Sequence, residues 1–151
     1  MADEDKFLKI KGGVVTGCDK SAIEIAIPEG VTKIRKRAFF KCKSLTSITI
    51  PDSVTEIGAG TFAGCQSLAS ITIPDSVTKI GYWAFRDCHL LASITIPNSV
   101  MEIGEEAFKG CTSLSDIRFG GTVSQWKAVK KVNGPGHASK VHCTDKDVWW
   151  M

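Results

Sequence analysis

A chain of 151 residues that is 43% hydrophobic and 23% charged has the composition of a folded, soluble protein with about one core. The net charge of +3 is too small for a nucleic-acid footprint, and the basic residues are scattered rather than gathered on one regular stripe. No run of about 18 apolar residues occurs, so no membrane-spanning helix is expected.

The chain opens on Met1-Ala-Asp-Glu-Asp-Lys, acidic and followed by no apolar stretch of signal-peptide length, which points to a protein kept in the cytoplasm. Leu8, Ile10, Val14 and Val15 around Gly12-Gly13 predict a hairpin, and Ile23, Ile25 and Ile27 alternate as a strand does. Residues 1–27 thus read as an N-terminal cap with the first strand. Residues 28–119 are the repeats.

Within them one message returns every 23 residues: Ile-Pro at 27, 50, 73 and 96, Phe39, Phe62, Phe85 and Phe108, then Cys42, Cys65, Cys88 and Cys111, and Leu45, Leu68, Leu91 and Leu114. A fixed period of this size predicts stacked coils, each too small to stand without its neighbours. In the coil from Ser44 to Cys65, Leu45, Ile48 and Ile50 alternate inward on a strand that Pro51 ends, because proline has no amide hydrogen for the next coil. Asp52-Ser53 supplies a turn, and Val54 and Ile57 point back inside. Gly58, Gly81 and Gly104 mark a tight backbone position, with Arg35 in its place in the first coil. Phe62 and Cys65 close the coil through a short helical or 3₁₀ turn.

After Phe119 the period stops. Gly120-Gly121 breaks it, Thr122 to Lys131 predict a short helix with Trp126 and Val129 inward, Asn133-Gly-Pro-Gly is a loop, and Val141-His-Cys143 is the last strand. These elements make residues 120–147 a C-terminal cap. Residues 148–151, Val-Trp-Trp-Met, follow it as a tail in which Trp149 and Trp150 are exposed unless they fold back or meet a second chain.

The four in-register cysteines read as a ladder of small buried hydrophobes whose parallel side chains do not face one another, and not as disulfides. There is no C-x-x-C pair, and His142-Cys143 near His137 is a weak metal constellation. His89, His137 and His142 stand in no regular relation to a nucleophile. Neither a phosphate loop nor a carboxylate pair at a cleft is present.

The unit Leu45-Thr-Ser-Ile-Thr-Ile-Pro-Asp-Ser-Val-Thr-Glu-Ile-Gly, followed by Phe62 and Cys65, resembles the BspA-like, or Treponema pallidum-type, class of leucine-rich repeats, and Phe119 to Val129 with Val141-His-Cys-Thr-Asp resembles its terminal cap. The resemblance covers roughly residues 14 to 147. It implies a strand-dominated α/β fold, a right-handed leucine-rich-repeat solenoid of 23-residue coils, and a non-enzymatic protein-binding or adhesion-type module without a cofactor. It also implies a surface or secreted location, against the cytoplasmic one drawn from the N-terminus.

The resemblance further places the strands on a concave face. There Ser47, Ser70, Ser93 and Asp116 form one exposed row and Thr49, Thr72, Thr95 and Arg118 the other, with only the last pair charged. Lys33, Glu56, Lys79 and Glu102 share one position and should alternate in charge along the stack. Lys33, Arg35, Lys36, Arg37, Lys41 and Lys43 form the densest basic group, read as a solvated face. Tyr82-Trp83 replaces Ala59-Gly60 and stands opposite Glu105-Glu106; packing toward the cap is the first reading of it, and an anchor for a protein partner the second. A homo-oligomer through the exposed aromatics is compatible with this pattern, and no nucleic-acid or membrane partner is expected. The other reading is a structural carrier whose Val148–Met151 tail is a docking peptide or the substrate of a modifying enzyme.

Overall fold

The structure is a computed structural model, and it describes residues 6–150. Each coil contributes a longer and a shorter strand, joined by turns. The longer strands are β3 (Glu24–Ala26), β5 (Ser47–Thr49), β7 (Ser70–Thr72), β9 (Ser93–Ile96) and β11 (Asp116–Phe119); the shorter are β4 (Lys33–Ile34), β6 (Glu56–Ile57), β8 (Lys79–Ile80) and β10 (Glu102–Ile103). The shorter strands pair in parallel and in register along the whole stack, and the longer ones do so in two sheets, β3 with β5 and β7 through β11, so that Ile71 faces Ile94 and Ile94 faces Ile117. The fold is therefore a strand-dominated solenoid with a 23-residue coil. Among the described residues the one helix, α1 (Val123–Ala128), belongs to the cap, and no helix is long and apolar enough to cross a membrane.

The N-terminal hairpin forms as expected from β1 (Leu8–Lys11) and β2 (Val14–Cys18), antiparallel about Gly12-Gly13. β2 then pairs in parallel with β4 and closes the shorter-strand sheet. Ile25 and Ile27 are buried, whereas Ile23 lies outside at 59% exposure: it stands in register with Thr46, one residue off the inward row. At the other end α1 carries a capping box of Thr122 and Gln125 and buries Trp126, with Val129 beyond its end also buried. β12 (Ser139–His142) adds in parallel to β11.

Two expectations about local structure need correction. The segment closing each coil is not a helical or 3₁₀ turn. Its amides alternate between the same coil and the next, as in Cys42 N–H to Phe39 O and Phe39 N–H to Thr61 O, because two backbone positions per coil are left-handed. Arg37, Gly60, Trp83 and Glu106 hold the first, at φ of 56–62°, and Lys41, Gly64, Asp87 and Gly110 the second. The second correction concerns the C-terminus. Asp147–Trp150 is a strand, β13, antiparallel to β12, so Val148 to Trp150 belong to the cap; Met151 lies outside the described residues.

Phe39, Phe62, Phe85 and Phe108 stack at centroid distances of 5.2–5.3 Å and form the spine of the core. Trp150 ends it, edge-on to Phe108 at 5.8 Å and to Trp126 at 5.2 Å. The glycine row is tight for a reason of stacking and not of φ: a Cβ on Gly58 would lie 3.2 Å from Lys36 N, on Gly81 2.7 Å from Ala59 N, and on Gly104 closer still to Tyr82 N. Arg35 is tolerated because the hairpin, not a full coil, precedes it.

The cysteine ladder has a polar function as well as an apolar one. Cys65, Cys88 and Cys111 donate their thiol hydrogens to the carbonyls of Phe39, Phe62 and Phe85 at 3.0–3.1 Å, each reaching back to the preceding coil. Burial pushes the Cys65 thiol up to about 12, and a hydrogen bond with Cys111 together with burial raises Cys88 as well. A thiol held neutral in this way is a poor nucleophile. All six cysteines are free, five of them buried and Cys143 half-buried. The expected result is that six thiols titrate in denaturant, that Cys143 reacts first in the native protein, and that reductant leaves the melting temperature unchanged. Two or more native disulfides would contradict it.

Candidate functional site

The exposed face of the longer-strand sheet carries the two expected rows. Ser70, Ser93, Asp116 and Lys140 stand side by side, next to Thr72, Thr95, Arg118 and His142, whereas Ser47 and Thr49 lie on β5, which pairs with β3 and not with β7. β5 and β7 border a shallow depression of about 450 Å³ whose lining includes Ser47, Thr49, Ser70, Thr72 and Pro74. Hydroxyls this short offer hydrogen bonds and little steric obstruction, so the first three coils present a neutral strip interrupted by this depression.

The strip ends in charge. His142 lies between two carboxylates, Nε2 at 2.8 Å from Asp116 Oδ1 and Nδ1 at 3.1 Å from Asp147 Oδ1. The bond to His142 holds the Asp116 carboxyl below its ordinary value of 3.8. Lys140 Nζ sits 5.4 Å from the ring centroid of Trp149, which is 63% exposed. Arg118 is exposed beside His142. The sequence placed Asp116 and Arg118 here; it missed Lys140, His142 and Asp147, because their register depends on how the cap strands dock.

A second face runs along the left-handed turns. Tyr82 is 54% exposed and meets Trp83 edge-on at 5.4 Å. Trp83 is half-buried: its indole Nε1–H donates to Glu106 Oε1 at 3.1 Å and Arg86 covers its ring at 5.2 Å. Lys109 first, with Trp83 and Arg86 adding, holds the Glu106 carboxyl below its ordinary range. The alternating row Glu56, Lys79, Glu102 does stand in register, yet among the described residues none of these charges closes to an ion pair within 4.0 Å. It contributes little beyond register.

Trp149 and Trp150, expected together in a tail, are separated by the alternation of β13. Trp149 faces out and Trp150 is 7% exposed in the core. A free docking peptide from 148 onward is thereby replaced by a structural strand.

The repeat pattern named BspA type leucine rich repeat region matches residues 10–129 in six copies. The chain belongs to this family. The chain spans only part of several similar solved proteins, about a third of two of them. A leucine rich cell surface protein of Faecalibacterium prausnitzii A2-165 is 40% identical over 74% of this chain with a TM-score of 0.71, and 30% of that protein is covered. The T. pallidum leucine rich repeat protein is 28% identical over 75% of this chain, at TM-score 0.60, with 69% of it covered. For a leucine-rich repeat protein of Bacteroides ovatus ATCC 8483 the values are 32%, 70% and 0.51, with 34% covered. No curated protein matches the chain.

Proposed function

We propose that this BspA-type module binds a protein partner, non-catalytically, across the face of the longer strands. The observation that carries the reading is the join between a neutral strip of Ser and Thr hydroxyls and a terminal cluster of Asp116, Arg118, Lys140, His142 and Trp149. The strip supplies contact without selectivity, and the cluster supplies direction: aromatic and arginine side chains are the residues that anchor interfaces. A role at a cell surface is in keeping with the Faecalibacterium relative, a leucine rich cell surface protein, and an adhesion-type module is the form of it proposed here.

The test is selection of a displayed protein library on the immobilised domain, followed by affinity measurement of the selected binders on variants. Arg118→Glu with Trp149→Ala is expected to weaken them at least tenfold, and Tyr82→Ala to leave them unchanged. Binders that ignore the first variant and are lost with the second would move the site to the turn face.

A further inference from the structure

Along the left-handed turns the four coils carry Arg35-Lys36-Arg37, Gly58-Ala59-Gly60, Gly81-Tyr82-Trp83 and Gly104-Glu105-Glu106. These triplets are stacked neighbours, joined by Arg37 N–H to Ala59 O, Gly60 N–H to Tyr82 O and Trp83 N–H to Glu105 O. In spatial order the strip is basic, empty, aromatic and acidic. We propose that this strip is a self-complementary surface on which two copies of the chain pair about a two-fold axis between the second and third coils.

Rotation by 180° about an axis that lies in the interface, perpendicular to the length of the strip, puts the first coil of one copy on the fourth of the other, and the second on the third. Tyr82 and Trp83 of each copy then cover the Gly58-Ala59-Gly60 floor of its mate, and Lys36 of each meets Glu105. Every contact occurs twice, as an isologous interface requires. The floor is open: a hollow of about 390 Å³ lies between Lys36 and Tyr82 above Gly58 and Ala59. The charges are unspent, since Lys36 and Glu105 are exposed and, among the described residues, neither has an opposite charge within 4.0 Å. The ridge is pre-organised, with Trp83 fixed by Glu106 and Arg86.

Four coils at about 4.8 Å each make a strip roughly 15–20 Å long. Three residues, roughly 10 Å, wide, it covers roughly 200 Å² per partner, well below the about 800 Å² of a standard interface, so the dimer is weak and salt-sensitive.

Sedimentation equilibrium of the whole chain tests this. From about 10 μM to 1 mM, where a small interface assembles, a dimer is expected at low salt and a monomer at about 0.5 M salt. Lys36→Glu alone and Glu105→Lys alone should each weaken dimerisation at least tenfold, because each places like charges opposite one another. Their equimolar mixture should dimerise again, since the two-fold operator pairs each altered residue with the other. Ala59→Tyr fills the floor with the residue the third coil already carries at that position, so the fold should tolerate it while the dimer is lost. A chain monomeric throughout at low salt, a mixture that fails to recover, or an Ala59→Tyr variant that dimerises as before would overturn the proposal. Capture of a labelled hexaglutamate peptide by a strictly monomeric chain, lost in Lys36→Glu, would replace the second copy with an acidic partner.

Discussion

Replacing Phe85 by alanine is expected to remove about 3–5 kcal/mol of stability, among the largest losses open to a single substitution in this chain. Phe85 is fully buried and sits inside the spine, its ring 5.3 Å from Phe62 on one side and 5.3 Å from Phe108 on the other. The substitution opens a cavity and deletes two aromatic contacts, each adding about 0.5–1.5 kcal/mol to the burial term. It spares the backbone ladder, because Phe85 N–H still reaches Ala107 O and Cys111 still donates to Phe85 O. A domain of this size holds only about 5–15 kcal/mol in total, and each coil supports just its neighbours. The unfolding should stay a single transition, displaced downward by roughly 10–15 °C. Phe39→Ala, at the end of the spine with one ring neighbour, should cost less. Urea denaturation followed by circular dichroism measures both; a loss under about 1 kcal/mol at Phe85 would place the ring outside the core.

The period was legible because every coil solves the same packing problem with the same residues at the same offsets. Phe, Cys, Leu and the Ile-Pro step each announce an inward position, and from these the stacked coils, their register and the exposed Ser and Thr rows follow. The left-handed turns were hidden for the opposite reason. Their first position is filled by Arg37, Gly60, Trp83 and Glu106, four side chains with nothing in common, so composition carries no sign of a shared φ. Gly58, Gly81 and Gly104 did signal closeness, and the closeness is to the backbone of the coil before, a relation between residues 22 and 23 apart that no local motif expresses. The cap was legible as a break in the period but not as an arrangement. Asp116, His142 and Asp147 meet only because β12 and β13 fold back on β11, and the sequence between them has no repeat to fix that register.

The same absence of a repeat concealed what Trp150 does, and its replacement is the second large effect expected. Trp150 stands where a fifth phenylalanine would continue the spine, edge-on to Phe108 at 5.8 Å and to Trp126 at 5.2 Å, and Trp126 in turn meets Phe119 at 5.2 Å. It closes the end of the core with one large ring, which the last coil needs because the repeat stops at Phe119. Trp150→Ala should therefore cost about 3–5 kcal/mol, and so should removal of Val148 to Met151, which strips β13 from the sheet. Trp150→Phe should cost far less. The indole Nε1 is buried without a hydrogen-bond partner, so phenylalanine keeps a ring in place and deletes a donor whose burial is unfavourable by about 1–3 kcal/mol. Trp149→Ala, one residue away and 63% exposed, should change stability by no more than about 0.5 kcal/mol. Chemical denaturation of the four variants decides between strand and tail: if Trp150→Ala is as silent as Trp149→Ala, the C-terminal residues do not close the core.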